Sequence, residues 1–412
     1  RHFGTTTSEL ERMACWLEEQ NVVSVAMEST SVYWIPVCDL LESRGFEVVL
    51  VDTREVRMVP GRKSDVQDCQ WLQKLHSCGL LRGCFRPAED ICAVRSLIRE
   101  KAAVTAERSD WIRRMQKSCD QMNIRIHHAV SDIDGATGMA ILRAIAEGER
   151  DPHRLAGLRD RRCRKSEAEI AECLRGNWRE EHVFSLTQAL MTCEFLNARI
   201  ADYDRKILSM AQRLARPDAA SVPEHPDGSK SGQMRRLGED PMRQALYSMS
   251  GVDLTRISGI RADTAAILLS ELGTDLSRFP TERHLISYLG LAPKKATSAG
   301  KPVRGLKRHK CTARAGAALR MAAATLRRSD CELGAYYRSV AKRSDAARAV
   351  KATARRMCAR VYRMMRYGQD FADSGASAYE QRFRDRKIKA VKRMLNGLDL
   401  TDSERAQLLT SV

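Results

Sequence analysis

"NVVSVAMESTSVYWIPVCDLLESRGFEVVLVD", Asn21 to Asp52, sets the fold class of the N-terminal part of the chain. Val22 to Met27 is a β-branched run that closes on polar Glu28, Ser29 and Thr30, the pattern of a buried strand running into a loop. "VYWIPVCDLLESRG" then carries apolar residues at helical spacing and stops at Gly45, and "FEVVLVD" from Phe46 reads as a second strand. Two consecutive strands joined by a helix need a crossover, which makes them parallel and the domain α/β. Functional groups in such sheets collect at the carboxyl ends of strands, and Glu28 stands at one.

The next stretch, "PGRKSDVQDCQWLQKL" from Pro60 to Leu75, places Asp65 and Asp68 three residues apart. If a helix begins near Ser64, both carboxylates lie on one face at its start. Two readings stay open. Ser64 is an N-cap and the aspartates complement the helix dipole, or the pair joins Glu28 in an oxygen-rich site for a hard divalent cation such as Mg²⁺, as phosphate chemistry uses.

Beyond Pro87 the strand signals fade. Ile91, Val94, Leu97 or Ile98, Ile112, Met115, Cys119 and Met122 recur at helical spacing, and Lys165 to Ala215 repeats the pattern with a break near Gly176. Two long amphipathic helices predict a helical hairpin or coiled coil, serving either as a dimerisation arm or as a spacer. Between them, "SDIDGATGMAILRAIAEGERDPHRLAGL" reads as a compact helical insert. "ARPDAASVPEHPDGSKSGQ", Ala215 to Gln233, lacks periodicity and reads as a linker or loop. The expected division is an acidic α/β domain over 1–88, a helical and coiled-coil region over 89–214, a linker over 215–248, a basic helical domain over 249–370 and a helical tail over 371–412.

Charge narrows the partners. The net charge of the 412 residues is +18, and the segment Lys294 to Gly368 holds 21 Lys or Arg against 3 Asp or Glu, so the rest of the chain balances. A segment so charged repels itself unless a polyanion is its partner, and nucleic acid is the usual one. No apolar run approaches the ~20 residues of a membrane span, and no signal peptide is recognisable, so the expected setting is cytoplasmic. Thirteen cysteines include no C-x-x-C pair, which argues against structural zinc and for inert thiols in a reducing compartment.

Two C-terminal motifs sit in or beside that basic segment. "LTRISGIRADTAAILLSELG", Leu254 to Gly273, has the shape of a helix-hairpin-helix: a turn at Gly259, then a small-residue helix whose first amides can take a phosphate. Arg261 replaces the usual second turn glycine and suits a phosphate. "KKATSAGKPVRGLKRHK", Lys294 to Lys310, surrounds Ser298 with small residues and with Lys294, Lys295, Lys301, Arg304, Lys307, Arg308 and Lys310. Arg320 follows on the next helical stretch. Small residues let a phosphodiester approach the backbone, and the cations can hold its charge. A serine needs a base or a metal to act as a nucleophile, and neither is near in sequence, so this segment by itself reads as a solvated basic turn.

Together these blocks resemble the transposases of the insertion-sequence 110 family, which join a RuvC-like acidic (DEDD) domain to a serine-containing transposase domain. "AMESTSVYWIPVCDLLESRGFEVVLVDTREVRMVPGRKSDVQDCQWLQKLHSCGLLRGCFRP" is similar to the first and "ISGIRADTAAILLSELG...FPTERHLISYLGLAPKKATSAGKPVRGLKRHKCTARAGAALRMA" to the second, in the family's order. The resemblance implies an RNase H-like N-terminal fold, with Glu28, Asp65 and Asp68 as acids that bind Mg²⁺ and Ser298 as the nucleophile. It also implies DNA ends and target as substrates, a structured noncoding RNA as guide, and a homo-oligomer, dimer or tetramer, with a composite active site. The family shows Ser or Gly where this chain has Thr297 and Ala299, which leaves Thr297 as the neighbouring hydroxyl. Its first aspartate, on a Gly-x-Asp-x-Ser strand upstream of Arg1, has no counterpart here. The expectation is therefore a truncated copy with three of four acids and weak Mg²⁺ binding. Competing expectations are a RuvC-like metal-dependent nuclease that does not need Ser298, a catalytically inactive nucleic-acid-binding remnant, and a basic coiled-coil scaffold.

Overall fold

The computed structural model describes residues 1–52, 65–218, 221–223, 240–293, 297–298, 301–302, 313–368 and 373–396. It divides into two compact units, Arg1–Arg86 and Pro87–Val412.

In the first unit, helix α1 (Thr7–Glu19) leads into strand β1 (Ser24–Glu28), helix α2 (Trp34–Ser43), strand β2 (Glu47–Val51) and helix α3 (Asp65–Ser77). The strands pair in parallel from Ser24 opposite Glu47 to Glu28 opposite Val51, the crossover that the β-branched runs predict. α2 ends where Gly45 turns left-handed at φ 85°, with Gly45 N–H donating to Glu42 O and Phe46 N–H to Leu41 O, both at 3.0 Å. This closes the last carbonyls of the helix and aims the chain into β2. Ala14, Leu41 and Phe46 form the buried centre of the unit, with Leu17, Val25 and Val48 packed around it. Past α3 the chain returns along β2, where Cys84 N–H donates to Leu50 O at 2.5 Å. Arg86 then pairs with Asp39 and, at 2.7 Å, with Glu42 of α2.

The second unit is helical apart from one short hairpin among the described residues. A long helix α4 (Glu89–Gln121) and a second, α9 (Glu180–Arg213), pack side by side in opposite directions. Lys101 pairs with Asp204 at 2.5 Å, and Arg108 donates to Asn197 at 2.5 Å, seven residues further on one helix and seven back on the other. Between α4 and α9 lie four short helices: α5 (Ile126–Ala129), α6 (Ala136–Ala146), α7 (Pro152–Gly157) and α8 (Glu167–Cys173). They cap one end of the pair over a core that joins Met115 and Cys119 of α4 to Leu186, Leu190 and Cys193 of α9. The predicted break near Gly176 is the turn between α8 and α9.

At the other end of the pair a separate core forms. Ile91, Val94 and Ile98 of α4 and Ile207 of α9 pack with α10 (Pro241–Ser250), α11 (Ala262–Leu272), α12 (Glu282–Tyr288), α13 (Arg314–Thr325) and α15 (Ala346–Tyr367). α14 (Glu332–Ala341) precedes α15, and α16 (Gly375–Asn396) follows it. α15 runs through this core with Ala354, Met357, Cys358, Val361 and Tyr362 inward at three- and four-residue spacing, leaving its arginines on the opposite flank. Most of the stretch read as a linker from Ala215 lies outside the described residues.

Candidate active site

The acids come from two elements of the first unit. Glu28 is the last residue of β1, half-buried, and its Oε2 accepts from Thr30 Oγ1 at 3.4 Å. The loop leaving the strand is fixed by Ser29, whose N–H and Oγ both donate to Val51 O, at 2.9 and 3.0 Å. Asp65 opens α3, although its side chain lies outside the described residues, and Asp68 follows one turn later on an exposed face. Ser24 Oγ and His76 Nε2 are 2.8 Å apart, which ties the last turn of α3 to the first residue of β1. Among the described residues, no three His, Cys, Asp or Glu side chains gather as a metal-binding group. The three candidate acids carry only carboxylate oxygens, the chemistry a hard cation such as Mg²⁺ takes.

Ser298 belongs to a minimal antiparallel hairpin in the second unit, β3 (Thr297–Ser298) against β4 (Lys301–Pro302). Thr297 lies opposite Pro302 and Ser298 opposite Lys301, with Ala299 and Gly300 between them. Ser298 is thus the last residue of β3. Lys294, Lys295, Arg304, Lys307, Arg308 and Lys310 lie outside the described residues. Arg320 is half-buried on α13.

The helix-hairpin-helix reading acquires a definite geometry. Asp253 caps a single 3₁₀ turn (Leu254–Arg256), Gly259 makes the bend at φ 90°, and Arg261 is the N-cap of α11. A Cβ on Gly259 would meet Ala322 O at 3.0 Å, so both the backbone angle and the close approach call for glycine. Arg261 is exposed at φ −103°, a conformation any residue adopts, which explains why the second glycine of the motif is dispensable here. The start of α11 is not purely positive. Asp263 sits in its first turn and pairs with Lys101 Nζ at 3.0 Å. The other end of α11 is tied to α4 by Arg99, which donates twice to Glu271 at 2.8 and 2.7 Å, and this hydrogen bonding raises the guanidinium's pKa.

Two features escape a reading of the sequence. Arg243 and Asp253 form an ion pair with 2% and 3% side-chain exposure, closed at 2.6 Å, that holds the 3₁₀ turn against α10. The arginines of α15 form a cleft with α12 and α14, described below. The repeated spacing Arg356, Arg360 and Arg363 was visible, but its partners come from distant parts of the chain.

Comparison with known families agrees in two places. A family model described as a transposase, of the IS110 DEDD type, matches residues 1–124. A second, described as the transposase IS116/IS110/IS902 family, matches residues 251–338. No curated protein matches the chain.

Proposed function

The chain belongs to the IS110 family of transposases, and from that premise we propose that it exchanges DNA strands through a serine nucleophile assisted by an acidic, Mg²⁺-binding domain of RuvC type. The observation that carries this reading is the order of the two matches: the first contains Glu28, Asp65 and Asp68, and the second contains Ser298. In this scheme Ser298 Oγ attacks a phosphorus of the DNA backbone. An Oγ–P bond forms, a P–O bond to a sugar breaks, and the serine proton ends on the departing sugar oxygen. A serine hydroxyl needs a base or a metal to help with its proton. Glu28, Asp65 and Asp68 would hold the ion, and a bound Mg²⁺ neutralises charge on the phosphate.

The net charge of +18, carried by the segment that includes Ser298, supports a load of both DNA and a structured guide RNA. The α4 and α9 pair offers a long helical surface for self-association into a dimer or tetramer. The test is strand exchange between plasmids carrying the element ends and the target, with the element's flanking RNA. Product that requires Mg²⁺ and disappears in both Glu28→Gln and Ser298→Ala supports the scheme. Product that persists in Ser298→Ala while Glu28→Gln abolishes it would leave a metal nuclease instead.

A further inference from the structure

Helix α15 lines a cleft of 520 Å³ with Arg355, Arg356, Arg360 and Arg363, opposite Tyr336 of α14 and Glu282 of α12. A second cleft of 380 Å³ shares Arg356 and Glu332 with the first and is walled by Arg382, Arg386 and Lys389 of α16. Arg356, Arg360 and Arg363 follow one another at four and three residues, and so do Arg382, Arg386 and Lys389. Each set therefore occupies one face of its helix. Two cationic helix faces meet here, at a point remote in sequence from Ser298.

The carboxylates present do not match this charge. Glu282 takes both arms of Arg363, at 2.8 and 3.2 Å. Glu332 serves Arg360 at 2.9 Å and Arg382 at 3.7 Å, and also accepts from Ser374 Oγ at 3.2 Å. Asp385 accepts from Gln381 at 3.0 Å. Among the described residues no carboxylate pairs with Arg355, Arg356, Arg386 or Lys389.

Arg356 is the most exacting of these. Its guanidinium carbon lies 4.3 Å from the centre of the Tyr336 ring and 5.6 Å from that of Tyr379, so two aromatic faces hold it in place. The faces of those rings are not conventional acceptors, and Arg356 Nη1 is buried with no hydrogen-bond partner among the described residues. A buried N–H on a charged group without an acceptor is costly, and such a group calls for a water, an ion or a ligand to complete it. Burial, helped by the neighbouring Arg356 charge, lowers the pKa of Arg360 even though Glu332 pairs with it.

We propose that this cleft seats a backbone phosphate of a nucleic-acid strand, with Arg356 donating to its oxygens from between Tyr336 and Tyr379 and with Arg355, Arg386 and Lys389 along the strand's path. A guanidinium fork fits a phosphate's paired oxygens, and the aromatic clamp lowers the entropy lost in forming that contact. The class of ligand rests on the transposase reading; the anion site rests on the cleft itself.

The experiment measures equilibrium binding by fluorescence anisotropy over a salt series, using the full chain with a labelled DNA duplex and, separately, a labelled RNA stem-loop. It needs no strand exchange, so its outcome is separate from that of the catalytic scheme. Arg356→Gln should weaken binding about tenfold on at least one of the two, and should lower the slope of log K against log salt by about one. Arg356→Lys should keep the slope while losing part of the affinity, because it keeps the charge and loses the fork. The nucleic acid that responds identifies the source of the phosphate. Thermal stability of Arg356→Gln should change little, since loss of the two cation–π contacts offsets removal of an unmatched buried donor. Unchanged affinity and slope on both ligands would overturn the proposal, as would a loss of affinity that merely follows a lower melting temperature.

Discussion

Asp253→Ala should destabilise the second unit by about 3–5 kcal/mol, the usual cost of removing one member of a buried ion pair. Asp253 accepts from Arg243 Nε at 3.1 Å and Nη2 at 2.6 Å, from Thr255 N–H at 3.1 Å and from Thr255 Oγ1 at 2.5 Å. Removing the carboxylate takes two charged hydrogen bonds from Arg243, whose contacts with Pro223 O at 2.6 Å and Thr255 Oγ1 at 3.1 Å are neutral. It also frees the N–H that starts the 3₁₀ turn. The assay is a urea titration followed by far-ultraviolet circular dichroism. With a slope of about 3 kcal/mol per molar, the transition of this unit should move down by about 1 M or more. Arg243→Met combined with Asp253→Leu should recover most of the loss, because an apolar pair of similar volume carries no desolvation penalty. A shift below about 0.3 M for Asp253→Ala, or a double variant no better than the single one, would refute the assignment of this pair as the clamp on the turn.

Three further predictions concern the interior. Cys119 and Cys358 are fully buried, and burial pushes both thiols up to about 12, so at pH 8 they stay protonated and should resist iodoacetamide in the native chain, while exposed Cys15, Cys69 and Cys78 react, as mass spectrometry of the labelled peptides would show. The sign of the linkage follows: the unfolded chain releases these protons near its ordinary thiol value of about 8.5 and the folded chain does not, so stability should fall as pH rises from there toward 12, readable as a falling urea midpoint. Gly138→Ala should lower the melting temperature through a loss of more than about 1 kcal/mol, because the new methyl group would run into the Ile133 carbonyl beneath the start of α6. An unchanged melting temperature would mean that the turn before α6 shifts freely.

The parts of the fold that were legible were those in which local pattern and tertiary environment agree. Val22 to Met27 and Phe46 to Val51 read as parallel strands because both are rich in β-branched residues and the helix between them ends in a glycine. The long helices were legible because Ile91, Val94 and Ile98 at one end of α4, and Met115 and Cys119 at the other, keep one seam. The middle of that seam was not. Lys101 and Arg108 occupy it as cations and are satisfied by Asp204, Asp263, Asp134 and Asn197, which lie elsewhere in the chain. The same limit hid the cleft on α15: its arginines repeat visibly, but Tyr336, Tyr379 and Glu332 become their neighbours only through packing. Of the candidate site, Glu28 at a strand end and a helix beginning by Asp65 followed from pattern, whereas the pairing of Ser298 with Lys301 depends on a strand register that small residues do not specify.

The most direct measurement for the catalytic scheme is capture of a covalent protein–DNA adduct. A labelled DNA substrate carrying the element end is nicked so that the cleaved strand cannot rejoin, and the products are separated under denaturing conditions. The account predicts a labelled band at the mass of the chain plus the attached strand, dependent on Mg²⁺, absent in Ser298→Ala and present in Thr297→Ala. An adduct of undiminished yield in Ser298→Ala, or one lost in Thr297→Ala and kept in Ser298→Ala, would contradict it.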